Sequence, residues 1–240
     1  MTITKGELAK SIDYTLLRPD AIPEDIRRLC REARAYNFAT VFVNPFYVNL
    51  AAELLKNSPV KVGTVVGFPL GASAPITKRF EAENVIERGA REIDMVMNIG
   101  ALKAGDLEIV HRDIHTVVDV VRQKEIEESA GTILVKVIIE TCYLTNMEKR
   151  IACRVIEEAG ADFVKTSTGF GPGGATIEDV MLLRESVSPE IGIKASGGIR
   201  TYEQVMMMLD AGASRIGTSA GVQIMEEFLQ KLGVKGQKSR

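Results

Sequence analysis

A lysine ends a short apolar stretch in residues 161–174, which read ADFVKTSTGFGPGG. Phe163 and Val164 precede Lys165, and hydroxyl and glycine residues follow it. Burying a lysine is costly unless the amine is paired or has a chemical role. Because the glycine-rich loop beside it could hold an anion, this segment predicts an amine nucleophile next to a phosphate site.

A second stretch has the same form. In IGIKASGGIRT, residues 191–201, Lys194 follows apolar residues and precedes Gly197 and Gly198. A single strand lysine is more often an edge residue that discourages aggregation, or a surface residue whose ammonium reaches water. Two lysines in the same setting favour a functional role.

Two neighbouring lysines could perform Schiff-base chemistry. A neutral amine attacks a carbonyl to give an iminium, which accepts electrons when the adjacent carbon–carbon bond breaks. Free lysine is almost wholly protonated at neutral pH, but desolvation and a second ammonium lower its pKa. Lys165 and Lys194 fall on consecutive predicted strands, so each could act on the other. Their spacing leaves open which one is the nucleophile.

Asp94 is the candidate for proton transfer to and from a substrate, either directly or through a water. The alternative is a simple ion pair between Asp94 and one of the lysines, because ion pairs also shift pKa values. Lys136 and Glu140 are the other ionisable residues near predicted strand ends.

Short apolar segments alternate with helical periodicities along the whole chain. The predicted strands are residues 12–17, 39–44, 61–68, 92–98, 133–139, the segment ending at Lys165, the segment ending at Lys194, and 214–217. Strict alternation of strand and helix predicts a parallel sheet, and eight such units close into a TIM (β/α)8 barrel. We expect one α/β domain over residues 1–240, with a short helix at 4–10 and a disordered tail at 235–240.

A faint internal repeat accompanies this alternation. Gly-Ala pairs begin at Gly89, Gly160 and Gly212, each between a predicted helix and the next strand. Glycine there fits the left-handed residue that often ends a helix. The residues five positions further on, which we expect at one level of the barrel, are Asp94, Lys165 and Gly217.

Phosphate binding is predicted at the loops after the seventh and eighth strands, where barrels of this kind commonly hold phosphate. The helix after Ser219 would point free N–H groups at the anion. Taken singly, each glycine there could simply form a turn. The candidate phosphate-binding residues are Thr168, Gly169, Gly197, Gly198, Gly217, Thr218 and Ser219.

Three other features could be mistaken for sites. Residues 169–174 match GxGxxG, but the acidic residue expected about 20 positions later in a dinucleotide site is missing. His111 and His115 have a spacing that suits a metal, but no third ligand is near in sequence, so a solvated helix face is expected. Cys142 follows a strand end, and we expect a small buried apolar residue there.

Composition excludes several classes of function. The chain has 240 residues, a net charge of −2 and 45% hydrophobic residues. This charge gives no sign of binding to nucleic acid or to an anionic membrane. The first residues lack the apolar core of a signal peptide, and the apolar runs are too short to span a bilayer. Three cysteines without CxxC spacing fit free thiols in the cytoplasm.

Several segments resemble those of the deoxyribose-phosphate aldolase family. They are IDYTLL, EIDMVMNIGALKAGD, LVKVIIET, FVKTSTGF and KASGGIRT, and the similarity runs from about Ile12 to the closing helix. The resemblance implies that Lys165 forms the Schiff base, that Lys194 tunes it and assists proton transfer, and that Asp94 belongs to the proton relay. It also implies reversible cleavage of 2-deoxy-D-ribose 5-phosphate to D-glyceraldehyde 3-phosphate and acetaldehyde, with no metal or organic cofactor.

The expected partners are therefore a sugar phosphate and aldehydes, and a homo-oligomer, either a dimer or a tetramer, is possible for such a barrel. Some bacterial members of the family end in a tyrosine that reaches the site. This chain ends in Lys238, Ser239 and Arg240, so no role of the tail in proton transfer is expected. The alternatives are another Schiff-base barrel enzyme, similar to a transaldolase or a dehydratase, and a sugar-phosphate sensor without catalysis.

Overall fold

Eight parallel strands form a closed barrel in the computed structural model, which describes residues 3–127 and 131–233. Each strand pairs with the next along the chain, and the first pairs with the last. The strands are β1 (Ile12–Leu16), β2 (Thr40–Val43), β3 (Lys61–Val66), β4 (Glu92–Val96), β5 (Leu134–Ile138), β6 (Phe163–Lys165), β7 (Gly192–Ser196) and β8 (Arg215–Thr218). The predicted TIM (β/α)8 barrel is confirmed.

Helices surround this barrel. They are α1 (Lys5–Ser11), α2 (Pro23–Tyr36), α3 (Val48–Leu54), α4 (Pro75–Glu87), α5 (Ile99–Lys103), α6 (Leu107–Glu127), α7 (Asn146–Glu158), α8 (Ile177–Glu185), α9 (Tyr202–Asp210) and α10 (Gly221–Lys231). The expected short N-terminal helix is α1, whereas α5 was not predicted. The tail at 235–240 lies outside the described residues.

The barrel wall separates an apolar outer layer from a charged interior. Successive strand residues point to opposite faces, so alternate positions of β7 have different surroundings. Ile193 and Ala195 belong to the apolar core, whereas Lys194, between them, is bonded to carboxylates inside the barrel. The same alternation places Asp94 of β4 inside, between the outward-facing Ile93 and Met95.

Glycines end the helices at the three repeated positions. Gly89, Gly160 and Gly212 have φ values of 106°, 81° and 111°. This is the left-handed region that favours glycine, as the sequence pattern predicts. Each glycine turns the chain from the end of a helix into the next strand.

No helix of the described residues is long and apolar enough to cross a membrane.

Candidate active site

Three side chains meet inside the barrel at one carboxylate oxygen. Lys165 Nζ donates to Asp94 Oδ2 at 2.7 Å, and Lys194 Nζ donates to the same oxygen at 2.6 Å. Lys165 and Lys194 are register partners on β6 and β7. The two amines are therefore no further apart than the sum of these two distances, close enough for each charge to act on the other.

More charged groups surround this meeting point. Lys194 Nζ also lies 2.6 Å from Asp13 Oδ2 of β1. Lys136 of β5 bonds to Glu92 and lies 3.4 Å from the second oxygen of Asp94. The interior cluster consists of the cations Lys136, Lys165, Lys194 and Arg215 and the carboxylates Asp13, Glu92 and Asp94.

Arg215 of β8 forms the lower edge of the interior cluster. Its guanidinium donates to Asp13, to Glu92 Oε2 at 2.7 Å and to Thr40 Oγ1 at 2.7 Å. The four cations of the cluster face three carboxylates, so full ionisation would leave one uncompensated buried positive charge. Uncompensated buried charge is costly, and this favours one neutral amine.

Two carboxylates of the interior cluster, those of Asp94 and Asp13, stay ionised. Burial alone would raise the pKa of Asp94, but Lys165, Lys194 and Lys136 outweigh it and hold this pKa well below its usual range. Burial would likewise raise the pKa of Asp13, but its cationic neighbours, Lys194 first among them, lower it to about 2. Both acids are therefore anions at neutral pH.

Lys194 carries a lowered pKa. Removal from water is the main cause, and the ammonium groups of Lys165 and Lys136 act in the same direction. The carboxylates of Asp13 and Asp94 oppose this effect, and the pKa of Lys194 settles at about 8. Near neutral pH this amine can therefore take up or release a proton, as a proton-transfer group must.

Phe42 of β2 forms the floor beneath the amines. Lys194 Nζ lies 3.6 Å from the centre of its ring, Lys136 Nζ 4.8 Å and Lys165 Nζ 5.9 Å. The negative face of an aromatic ring attracts cations and excludes water. Sequence analysis missed Phe42, because within the run TVFV it looks like any other core residue.

A cavity of about 300 Å³ opens at the carboxyl end of the barrel beside Lys165. Lys165 lines this cavity, whereas Lys194 does not, so only Lys165 can meet a ligand directly. All seven predicted phosphate-binding residues line it, namely Thr168, Gly169, Gly197, Gly198, Gly217, Thr218 and Ser219. Position 217 leaves little room for a side chain, because a Cβ there would lie 3.1 Å from Cε of Lys194 and 2.9 Å from Cβ of Ser196.

The cavity has the features of an anion site. Helix α10 begins at Gly221, just after Thr218 at the end of β8 and Ser219 in the following loop, so its N-terminus is near the cavity. Helix N-termini attract anions through their free N–H groups. Arg18 and Arg200 also line the cavity, and Arg200 makes no ion pair with any residue in the described ranges. Neither arginine was singled out from the sequence, although Arg200 follows the predicted Gly197-Gly198 turn.

Thr168 has its donors committed elsewhere. Its N–H lies 3.2 Å and 3.3 Å from the two carboxylate oxygens of Glu140, and its hydroxyl also bonds to Glu140. Thr168 therefore borders the cavity while its donors face away from an incoming anion. That Thr168 binds phosphate directly stays a prediction.

The structure also shows where Cys142 and the histidine pair of the sequence analysis lie. Cys142 lies just beyond β5, as expected, on the three-residue 3₁₀ turn Thr141–Tyr143. Its side chain is exposed there, so the expectation of a buried apolar residue was wrong. The rings of His111 and His115 stack 5.5 Å apart on α6. Among residues 3–127 and 131–233, no group of three or more His, Cys, Asp or Glu could hold a metal.

Lysine amines held at a carboxylate inside a barrel, with one of them facing a cavity suited to a phosphate, define a Schiff-base aldolase as the class of enzyme. The profile of the DeoC/LacD family aldolase matches residues 8–231. The chain belongs to this family and is a lyase.

Relatives agree with this assignment. A deoxyribose-phosphate aldolase of Caldanaerobacter subterraneus subsp. tengcongensis is 57% identical over 221 residues, which are 92% of this chain and 93% of that protein. The crystal structure of a putative deoxyribose-phosphate aldolase from Coccidioides immitis has a TM-score of 0.88 and 41% identity, covering 94% of this chain and 87% of that one. A tetrameric deoxyribose phosphate aldolase from Aeropyrum pernix has a TM-score of 0.84 and 36% identity, covering 94% and 92%.

Proposed function

We propose that the enzyme reversibly cleaves 2-deoxy-D-ribose 5-phosphate to D-glyceraldehyde 3-phosphate and acetaldehyde. One observation in the site supports this proposal. Lys165 and Lys194 donate to the same oxygen of Asp94, but of these two lysines only Lys165 lines the cavity that is suited to an anion. Lys165 is therefore the nucleophile, because the other amine has no access to a ligand. The names of the relatives support the choice of substrate.

The reaction begins with the open-chain sugar in the cavity. The neutral amine of Lys165 attacks the C1 aldehyde, and loss of water gives an iminium. A base removes the proton of the C3 hydroxyl, the C2–C3 bond breaks, and its electron pair moves into the iminium to give an enamine. Glyceraldehyde 3-phosphate leaves, C2 of the enamine takes up a proton, and water releases acetaldehyde from the lysine. No step requires a metal or an organic cofactor.

Asp94 and Lys194 handle the protons of this sequence. Because both amines donate to the same oxygen of Asp94, a proton can pass from Lys165 to Lys194 without leaving the interior cluster. Lys165 is then neutral and can attack, while Lys194 carries the charge. Lys194, with its pKa of about 8, can return the proton later in the cycle.

The far end of the cavity holds the phosphate. The backbone at Gly197, Gly198 and Gly217, the hydroxyl of Ser219 and the N-terminus of α10 supply donors, as in other phosphate sites of barrels. Arg200 adds a positive charge that is free to pair with the anion. The phosphate thereby fixes C1 of the sugar at a set distance from Lys165.

We also propose a cellular location and an oligomeric state for the enzyme. We place it in the cytoplasm, since all three cysteines are free thiols. It forms a homo-oligomer, a dimer or a tetramer, in line with the tetrameric relative from Aeropyrum pernix.

A turnover assay tests the function. Deoxyribose 5-phosphate and ribose 5-phosphate are supplied in parallel, and released acetaldehyde is measured with an alcohol dehydrogenase. We expect release from the deoxy sugar only, because cleavage of ribose 5-phosphate would give glycolaldehyde. Ligand binding without any aldehyde release would instead favour a sensor, and cleavage of neither sugar with activity on other carbonyl compounds would favour a different Schiff-base enzyme.

A further inference from the structure

Glu140 has an unusual backbone conformation at the mouth of the barrel. Its φ and ψ are 53° and 70°, in the left-handed region. In the described residues only Asn37 and Asn57 share a positive φ without being glycine, and asparagine tolerates this region well. A glutamate there is strained, and such strain often marks a functional position.

The strained residue is locked between two strand-like hydrogen bonds. The N–H of Ile139 donates to the carbonyl of Lys165 at 3.0 Å, and that of Thr141 donates to the carbonyl of Thr166 at 2.9 Å. The pairing of β5 with β6 therefore continues on both sides of Glu140. Its conformation is fixed by the barrel itself, and its side chain is turned towards the loop that follows Lys165.

The carboxylate of Glu140 has one set of partners. The residue is only 2% exposed, and no lysine or arginine of the described ranges forms an ion pair with it. It accepts the N–H and the hydroxyl of Thr168, and this hydroxyl in turn accepts the N–H of Phe170 at 3.0 Å. Because a buried carboxylate without hydrogen bonds is very unfavourable, these bonds hold the loop firmly in one conformation.

The loop also approaches Glu140 so closely that a side chain at Gly171 would be crowded. A Cβ added at Gly171 would lie 3.1 Å from Cδ of Glu140. Thr168, Gly169 and Phe170, just before this glycine, line the cavity together with Lys165. Glu140 thus contacts the segment that joins the nucleophile to one wall of the phosphate site.

We infer that Glu140 is a positioning residue for phosphate recognition. Acting through Thr168, it fixes the loop of residues 166–171 so that Gly169 keeps the shape that receives the phosphate. It takes no part in the chemistry at Lys165. This inference rests on the proposed function, since it assigns the wall of the same cavity.

The test compares Glu140→Gln with the wild type on two substrates. The amide keeps the size of the side chain but loses its charge and one acceptor oxygen. We expect KM for deoxyribose 5-phosphate to rise about tenfold or more, with kcat/KM for unphosphorylated 2-deoxyribose changing less than about twofold. The pH profile should not move. An equal loss on both substrates, a shifted pH profile or no change at all would overturn the inference.

A second variant and a control keep the result specific. Thr168→Val removes the hydroxyl partner alone, so it should weaken phosphate recognition less, and the double variant should be no worse than Glu140→Gln. Glu158→Gln, at an exposed position at the end of α7 that leads into the start of β6, should change nothing. Additive effects of the two site variants would show that Glu140 does not act through Thr168.

Binding of inorganic phosphate, followed by calorimetry, separates this inference from the proposed function. If the wild type fails to cleave deoxyribose 5-phosphate, the proposed substrate is wrong, but Glu140→Gln should still weaken phosphate binding about tenfold. Unchanged phosphate binding in Glu140→Gln would contradict the positioning role whatever the substrate is. The rate of acetaldehyde trapping on Lys165 by borohydride should be equal in both proteins.

Discussion

Lys165 and Lys194 stand opposite each other on neighbouring strands and donate to a single oxygen atom, Oδ2 of Asp94. One carboxylate oxygen that accepts from two amines favours a state in which the amines hold one charge between them. The interior cluster has four cations and three carboxylates, and this excess of cations also favours one neutral amine. The proposed catalysis depends on this single charge, and on the proton that passes between the two amines.

Activity should rise with pH through the pKa of Lys194. Below about pH 8 the amine of Lys194 is mostly protonated, so it cannot accept the proton that Lys165 must lose before it attacks a carbonyl. Loss of the proton from Lys194 produces the active state, so kcat/KM should increase with pH to a plateau above about 8. The rate of retro-aldol cleavage measured from pH 5 to pH 10 checks this.

Asp13→Asn provides the companion measurement. The carboxylate of Asp13 raises the pKa of Lys194, so removing its charge should lower that pKa and move the acidic limb of the profile to lower pH. A shift to higher pH, or an acidic limb that stays in place, would contradict the assignment of this limb to Lys194.

Asp94→Asn should preserve the shape of the site but disconnect the two amines. The amide cannot act as an anionic acceptor for both, so we expect kcat to fall by about 10² to 10⁴. Asp210→Asn, at an exposed position at the end of α9, serves as the control. Near-normal turnover by Asp94→Asn would reduce Asp94 to a structural ion pair, the alternative that the sequence left open.

Part of this site could be read from the sequence. Lys165 and Asp94 follow helix-ending glycines at equal distances, and Lys194 precedes a glycine turn, so their meeting at one end of a parallel barrel was predictable. Asp13 and Arg215 were not found, although Arg215 binds Asp13 across the β8–β1 closure. They are 202 positions apart, and no local spacing indicates such a pair.

Glu140 shows a second limit of the sequence. Its place just after β5 was visible, but its positive φ and its bonds to Thr168 depend on how two loops meet. Cys142 was misjudged because free cysteines are usually buried, and this general tendency does not show that the turn after β5 exposes the side chain.

Gly63→Ala should destabilise the barrel. A Cβ on Gly63 of β3 would lie 2.5 Å from Cζ of Phe42, whose ring has Lys194 on its face. Overpacking of this kind costs about 1–3 kcal/mol in unfolding free energy, measurable by urea denaturation. In contrast, Gly6→Ala on α1 meets no atom within 4 Å and should be neutral or stabilising, since alanine favours a helix. Equal effects of the two substitutions would refute the steric argument.

Lys165→Ala should abolish turnover while leaving phosphate affinity largely intact. In the proposed mechanism the amine is the nucleophile, whereas the anion is bound by the loops and the helix N-terminus that line the same cavity. Turnover and binding of inorganic phosphate should therefore be measured on the same preparation. Loss of both together would mean that the substitution disrupts the whole interior cluster.

Covalent trapping tests the central claim most directly. The enzyme is reduced with borohydride in the presence of acetaldehyde, and the modified peptide is identified by mass spectrometry. The account predicts one ethyl group on Lys165 and none on Lys194 or Lys136. Modification of Lys194 in place of Lys165, or no modification of either, would contradict it.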